Sequence, residues 1–304
     1  MSAKLDNAVR QTVQAAIDVA WVQWRALGFV GTGPKPRAMV DPEALILFTL
    51  SLMEDEHRFS RLLAWWAHAG SRLLSVQRLK NLMRTFPESV HKGVSEFART
   101  AYTSSDARWR ALAARRSALV ARPKDLTATP TPDAPGALIL RLRLAFSVGI
   151  KADVMALLLC MIGARATVSA IARSTGYYSR AVRRAVEDLA AAGFLETSIT
   201  APVSYKVNFE AWRSVLGFNP DPPTWRPWAA VFAFVADLKE WWPQVQGQSD
   251  YVISSRARDL VTRHNAQLEP QVKLPDPERS PGTAYTEDFI DALNELREWM
   301  KGVV

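Results

Sequence analysis

Three arginine residues, Arg180, Arg183 and Arg184, lie within five consecutive residues of the chain. A guanidinium group is planar, permanently charged and donates hydrogen bonds as a fixed fork. It can bind a phosphate group through two hydrogen bonds, or the O6 and N7 atoms of guanine in the same way. The three arginines can bind one ligand together only if a single local structure presents their side chains on the same side.

The apolar residues around the arginines recur at helical spacing. At about 100° per residue they fall on the side of a helix opposite to the arginines: Val182, Ala185, Val186 and Leu189. Gly193 is typical of the position just past a helix end. The sequence therefore predicts a helix from Ser179 to Ala192 that buries one face and presents the arginines on the other.

The preceding segment predicts the elements that position this helix. An apolar helix is expected from Lys151 to Ile162. Thr167 stands where its side chain can cap a short helix from Val168 to Ser174. Residues Thr175 to Tyr177 then form the turn into the arginine-bearing helix.

A small β-hairpin is predicted after that helix. The runs Phe194 to Thr200 and Val203 to Phe209 alternate in polarity and are rich in β-branched and aromatic residues. The tip falls near Ala201 to Ser204, with Lys206 beside it. As the wing of a DNA-binding unit, so short a hairpin would reach only modestly into a minor groove.

A short helix with one anchored face has the size and chemistry to enter the major groove of double-stranded DNA. The side chains predicted to contact DNA lie on the two helices, at their turn and on the hairpin. They are Thr167, Arg173, Tyr178, Ser179, Arg180, Arg183, Arg184 and Lys206.

These segments resemble the winged helix-turn-helix of bacterial transcriptional regulators in the broad MarR and ArsR group. The matching residues are Ala166-Thr-Val-Ser-Ala-Ile-Ala-Arg-Ser-Thr-Gly176, Ser179-Arg-Ala-Val-Arg-Arg-Ala-Val-Glu-Asp-Leu189 and Ala192-Gly-Phe-Leu195. The resemblance spans roughly residues 150–210, a fifth of the chain. It implies a recognition helix at Ser179 to Leu189 and a two-fold dimer on pseudo-palindromic DNA. The sequence lacks the metal-sensing cysteine and histidine pair of the ArsR branch.

The N-terminal part predicts a series of helices. The first runs from Ala3 to Leu27, and Asp41 followed by Pro42 is a good start for the second. Arg58 to Ala69 and Val76 to Arg84, separated by a glycine turn, have the arrangement of a second helix-turn-helix within residues 58–86. Two further helices are expected near Glu88 to Thr100 and Asp106 to Ala121.

The helix from Val76 to Arg84 carries a polar face that is open to two interpretations. Its members are Gln77, Arg78, Lys80, Asn81 and Arg84. They form either a second DNA contact or the solvated face of a helical domain.

We therefore expect a mainly α, multi-helical protein with a central winged helix-turn-helix. Its predicted parts are an N-terminal helical domain (1–121), a proline-rich linker (122–136), the winged helix-turn-helix domain (137–217) and a tryptophan-rich helical region (218–304).

The tryptophan-rich region supports two interpretations. Thr224 to Trp242 and Ala284 to Met300 are apolar or amphipathic and carry five tryptophans between them. Aromatic residues of this kind anchor protein interfaces, so we expect these helices to help form a homodimer. The alternative is a core packed within one chain.

The charge of the chain is unevenly distributed. The formal net charge is +8, with 19 basic and 12 acidic residues in 1–136 but 9 basic and 13 acidic residues in 218–304. A basic majority favours a polyanionic partner, because neutralising phosphates releases counterions.

Other sequence features narrow the class of protein. Cys160 is the only cysteine, and the first residues do not form a signal peptide. No apolar run approaches the ~20 residues that span a bilayer, so a cytoplasmic protein without a membrane partner is expected. Scattered histidines and missing enzyme motifs predict no catalytic residues, no metal site and no cofactor.

The leading hypothesis is a sequence-specific transcriptional regulator, in the first place a repressor. An autoregulating antitoxin and a winged-helix module for protein interaction or assembly remain as alternatives. An effector, either a small molecule or a protein, is left open because no residue pattern identifies one.

Overall fold

The computed structural model describes residues 2–29, 36–53, 58–113, 130, 132–218, 222–269, 272–278 and 282–302. The α-helices of this part are α1 Ser2–Ala26, α2 Pro42–Ser51, α3 Arg58–Ala69, α4 Val76–Met83, α5 Val90–Thr103, α6 Leu138–Phe146, α7 Ile150–Cys160, α8 Val168–Thr175, α9 Ser179–Ala191, α10 Phe209–Leu216, α11 Trp228–Val245, α12 Asp250–Leu268 and α13 Tyr285–Lys301. The strands are β1 Ala166–Thr167, β2 Leu195–Thr197 and β3 Ser204–Val207. The protein is therefore mainly helical with a small antiparallel sheet.

Helices from both ends of the chain share one apolar core. The first helix, α1, packs along α13 and α11, and α11 packs against α2 and α12. The rings of Phe48 and Phe232 are stacked with centroids 4.5 Å apart at the α2–α11 contact. Thr12 donates a hydrogen bond to the carbonyl of Leu293, and Trp242 Nε1 donates one to Asp6. None of the helices in the described part is long and apolar enough to cross a membrane.

The tryptophans of α11 face this core. Trp228, Trp241 and Trp242 are buried, and Phe289 of α13 is fully buried against Trp241. These three side chains therefore pack within one chain, as the alternative interpretation has it, and the homodimer remains a prediction. The apolar surface of α11 is used inside the chain because α1, α2 and α12 cover it.

The predicted hairpin is confirmed, and a third strand joins it. The sheet order is β1-β3-β2, and both pairings are antiparallel. Leu195 pairs with Val207 across the hairpin, and Ala166 pairs with Tyr205 on the other edge. The strand β1 ends at Thr167, whose hydroxyl caps α8 as predicted. A strand of two residues is too short to show the alternation of polar and apolar side chains on which a strand prediction depends.

Several helices differ from the expectations. The sequence did not predict α6, α10 or α12. The helix expected from Asp106 to Ala121 begins as a 3-10 turn at Ala107–Trp109 followed by turns to residue 113, and 114–121 lie outside the described residues. Residues 122–129 and 131 of the expected linker also lie outside them. Its last residue, Gly136, packs against Pro36 and accepts a hydrogen bond from Val40.

A buried ion-pair network joins four of the helices. Glu43 of α2 accepts hydrogen bonds from Arg78 of α4 and from Arg143 of α6, with N···O distances of 2.7 Å. Arg143 also forms a two-pronged pair with Asp153 of α7, and Arg78 forms one with Asp41. All five residues are buried. Because each carboxylate has a guanidinium partner, the network is compatible with a dry interior.

The electrostatic balance of the network keeps Glu43 ionised. Burial alone would raise the pKa of its carboxyl group, but the charges of Arg143 and Arg78 outweigh burial and lower the pKa to about 2. The pKa of Arg143 is raised well above its ordinary range, because Asp153 and Glu43 outweigh the effect of its own burial. The network is therefore a set of fixed charges, and its stability depends on complete pairing.

Replacing Arg143 tests that dependence. All five N–H donors of Arg143 are used, on Asp153, Glu43 and the carbonyl of Leu73. Arg143→Met leaves Asp153 without its guanidinium partner, and we expect the free energy of unfolding to fall by about 3–5 kcal/mol, measured by urea denaturation.

Arg141 provides the matched control on the same helix. Its guanidinium donates to the carbonyl of Leu216 and is only half-buried. Arg141→Met should therefore lower the free energy of unfolding by less than about 1.5 kcal/mol. Equal losses in the two variants would contradict the role given to the network.

Candidate nucleic-acid interface

The two faces of α9 separate as the sequence predicts. Val182, Ala185, Val186 and Leu189 are buried, and Arg180, Arg183 and Arg184 are exposed. The buried face packs against α7 and α8. Within the described residues none of the three guanidinium groups has a carboxylate partner within 4 Å. The helix therefore presents three unpaired cations from a surface fixed on its other side.

The turn before α9 is attached to α4. Arg78 Nε donates to the carbonyl of Thr175 at 2.6 Å, and Asn81 Nδ2 donates to the carbonyl of Gly176 at 3.1 Å. Arg84 donates to the hydroxyl of Tyr178 at 2.5 Å. Two side chains of α4 and the side chain of Arg84, the residue after α4, thus bind three residues of the segment 175–178 that precedes α9.

Tyr177 fastens the same turn to the buried network. Its hydroxyl lies 2.8 Å from Asp153 Oδ2 and 3.0 Å from Ser75 Oγ. Burial raises the pKa of this phenol, and the charge of Asp153 raises it further. Tyr177 therefore remains a neutral hydrogen-bond donor. Sequence analysis placed this tyrosine in the turn but missed its bonds, because Ser75 and Asp153 are remote in sequence.

The predicted second contact set is only partly at the surface. The prediction that Arg78 is exposed is wrong: the side chain is 1% exposed and paired with Asp41 and Glu43. The helix α4 packs against α2 and also against the turn between α8 and α9. Its exposed polar face is therefore narrower than the sequence predicts, since the sequence shows only one apolar stripe. Gln77 and Arg84 are exposed, and Lys80 and Asn81 are half-buried.

The remaining predicted contacts fall into two groups. Arg173, Tyr178 and Ser179 are exposed beside the turn. Thr167 uses its hydroxyl to accept from Ala170 N, and Lys206 is ion-paired with Glu196 at 3.0 Å. Arg173 and Ser179 form no side-chain hydrogen bond within the described residues, whereas Tyr178 accepts one from Arg84 and the second group also has partners in the chain.

The tip of the hairpin differs in character from α9. Residues 198–203 contain no basic side chain. Ile199 is fully exposed and Val203 is about half-exposed. This tip is therefore a poor electrostatic match for phosphates and a better match for an apolar surface.

Comparison with known proteins assigns no family to this geometry. No family model matches the chain. No curated protein and no solved structure matches it either.

Gly176 provides a test of the contact between α4 and the turn. It has φ +75°, and a Cβ atom there would lie 2.7 Å from Leu82 Cδ2. Gly193 has φ +77° with no atom within 4 Å of the same position. Both alanine variants suffer the backbone strain, but only Gly176→Ala must also displace the buried Leu82.

We therefore expect Gly176→Ala to lower the free energy of unfolding by about 1–3 kcal/mol more than Gly193→Ala does, measured by chemical denaturation. If the two variants lose equal stability, the close packing of α4 on the turn is refuted.

Proposed function

We propose that this chain is a cytoplasmic, sequence-specific regulator of transcription that binds double-stranded DNA and acts as a repressor. In this proposal α8 and α9 form a helix-turn-helix, the sheet of β1 to β3 is its wing, and α9 enters the major groove. The observation that carries the proposal is the set of three exposed, unpaired guanidinium groups on α9.

The dimensions and chemistry of α9 support this use. An α-helix with side chains is about 10–12 Å across, and the major groove of B-DNA is about 12 Å wide. Arg180, Arg183 and Arg184 can pair with guanine edges or with phosphates, since none of them lies within 4 Å of a described carboxylate. Ser179 and Tyr178 lie at the helix start, where side chains meet base edges or the backbone.

The neighbouring side chains of α4 extend this surface. Arg84 is bonded to Tyr178, and Asn81 to the carbonyl of Gly176, so the exposed ends of α4 and α9 keep a fixed relation. We assign Gln77, Lys80, Asn81 and Arg84 to a second DNA contact next to the first. Arg78 belongs to the interior and is excluded from it.

Removing two of the recognition arginines tests the proposal. We expect Arg183→Ala with Arg184→Ala to weaken binding by at least about 30-fold, since each well-placed pair with a base contributes about 1–3 kcal/mol. The measurement is an electrophoretic mobility shift on a duplex selected by the wild-type chain from a randomised library.

Two exposed arginines on other helices serve as the control. Arg10 lies on α1 and Arg256 on α12, with side chains 73% and 65% exposed. Arg10→Ala with Arg256→Ala removes the same charge and should leave the mobility shift nearly unchanged. Equal effects of the two double variants would argue against a recognition role for α9, and selection of no duplex would reject the function.

We also propose that the protein binds DNA as a homodimer. The support is an apolar patch formed by side chains of α6, of α10 and of Phe194, which follows α9. Phe146, Phe194 and Trp212 have ring centroids 5.7–5.9 Å apart. Leu144 of α6 and Val215 of α10 are 55% and 74% exposed. Contiguous exposed apolar surface is typical of interaction sites, and a two-fold dimer is the commonest assembly.

Charged residues in this patch should disrupt the dimer. We expect a wild-type mass of twice 33.8 kDa by sedimentation equilibrium, and a dimer weakened more than about tenfold by Leu144→Asp with Val215→Asp, because burying unpaired carboxylates is costly. Tyr251→Asp replaces an equally exposed apolar residue on α12 as the control. A monomeric wild type, or a double variant that still dimerises normally, would refute this interface.

A second candidate function is a winged-helix module for protein interaction. The exposed Ile199 and Val203 at the hairpin tip favour it, since apolar tips suit a protein surface better than a phosphate backbone. The mobility shift separates the two functions, because a protein-interaction module would bind selected and unrelated duplexes equally.

A further inference from the structure

Arg108 occupies a fixed position at the surface after α5. Its guanidinium donates to the carbonyls of Leu74 and Ser71 at 3.2 and 3.1 Å and pairs with Asp106 at 2.6 Å. The side chain is nevertheless 43% exposed. These bonds hold the charge in place while leaving one side of it open to solvent.

The first of two clefts beside Arg108 leads to the recognition helix. It has a volume of about 510 Å³, and Gln77, Lys80, Gly149 and Ala181 line it together with Arg108. None of the described residues that line it is acidic. Ala181 lies on α9 three residues before Arg184, and residues at this spacing are neighbours on a helix surface. The cleft therefore connects the basic end of α4 with α9.

The second cleft is also lined by Arg108. It has a volume of about 650 Å³, and its polar lining consists mainly of Arg99, Arg108 and Arg110, with Tyr102 beside them. Arg99 Nε is buried without a hydrogen-bond partner, and Arg110 is exposed. Within the described residues neither Arg99 nor Arg110 forms an ion pair. The charges of Arg99 and Arg110 therefore contribute no described ion pair to the stability of the fold.

We propose that Lys80, Arg99, Arg108 and Arg110 form a basic strip that binds the backbone phosphates of duplex DNA flanking the segment read by α9. The two clefts share Arg108, and the first reaches α9, so the strip continues the DNA surface of the proposed function, on which this inference rests. Asp106 neutralises at most one of the four charges. A row of separated cations in open clefts fits a repeating polyanion better than a single small anion. Phosphate contacts of this kind add affinity without reading sequence.

The salt dependence of binding tests the strip. The probe is a fluorescein-labelled duplex selected from a randomised library by the wild-type chain, with and without roughly 10 base pairs of flanking DNA on each side, about one helical turn. Lys80→Gln with Arg110→Gln removes two phosphate contacts, and each contributes about 0.9 to the slope of log K against log salt. We expect the slope on the flanked duplex to fall by about 1.8, equally for all flanking sequences. Arg110→Gln alone leaves Lys80 and the second contact of α4 intact. It should lower the slope on the flanked duplex by about 0.9 and leave binding of the trimmed duplex at the wild-type level.

Arg256→Gln with Lys273→Gln is the matched control. It removes the same charge from exposed residues of the C-terminal third and should leave the slope unchanged. An unchanged slope for Lys80→Gln with Arg110→Gln, or an equal change in the control, overturns the strip while binding by α9 stands. Loss of the proposed function looks different, because the wild type would then select no duplex. Both double variants alter surface residues, and equal urea midpoints confirm that they fold.

Discussion

Glu43 lies between the guanidinium groups of Arg78 and Arg143, and the arrangement of the helices around α9 depends on that contact. Removing an ion from water costs several kcal/mol, and only complete pairing offsets the cost. Glu43 comes from α2, Arg78 from α4, Arg143 from α6 and Asp153 from α7, so the charges are satisfied only when four helices are in place together. A wrong packing of any one of them would leave a buried charge unpaired. The network thus stabilises one arrangement against its competitors more than it adds to stability itself.

The same network fixes how α9 is presented. Arg78 binds the carbonyl of Thr175, and Tyr177 binds Asp153, within four residues of the start of α9. The buried face of α9 then leaves the helix no freedom to rotate about its axis. In the proposed function, a helix held in this way would lose little further entropy when it meets DNA. The arginines of α9 are long and exposed, so the side chains adapt while the backbone does not.

Local signals predicted much of this structure. Apolar spacing and the caps Asp41 and Thr167 were sufficient for α2 and α8, because each cap accepts a hydrogen bond from a backbone amide three residues away. The two faces of α9 followed from periodicity for the same reason. Arg78 was misplaced because its partners lie 37 and 35 residues away on α2. Glu43 and Asp153 within apolar helices were the available signal, since isolated carboxylates there require cations. Which of the many arginines pair with these two carboxylates depends on the fold, and the sequence alone does not identify Arg78 and Arg143.

Burial also changes the charge that the surface carries. Asp41, Glu43 and Asp153 are enclosed with only two arginines, so the network holds one net negative formal charge and the rest of the chain is one unit more positive than the formal +8. Among the described arginines, those of the network differ from those of α9 in the carboxylates within 4 Å of them. Glu43 of α2 and Asp153 of α7 are buried carboxylates, and Arg78 and Arg143 are buried in the core with them, where they determine the packing. On α9 and after α5 the carboxylates are few, and the guanidinium groups remain at the surface, where a polyanion can replace the water around them.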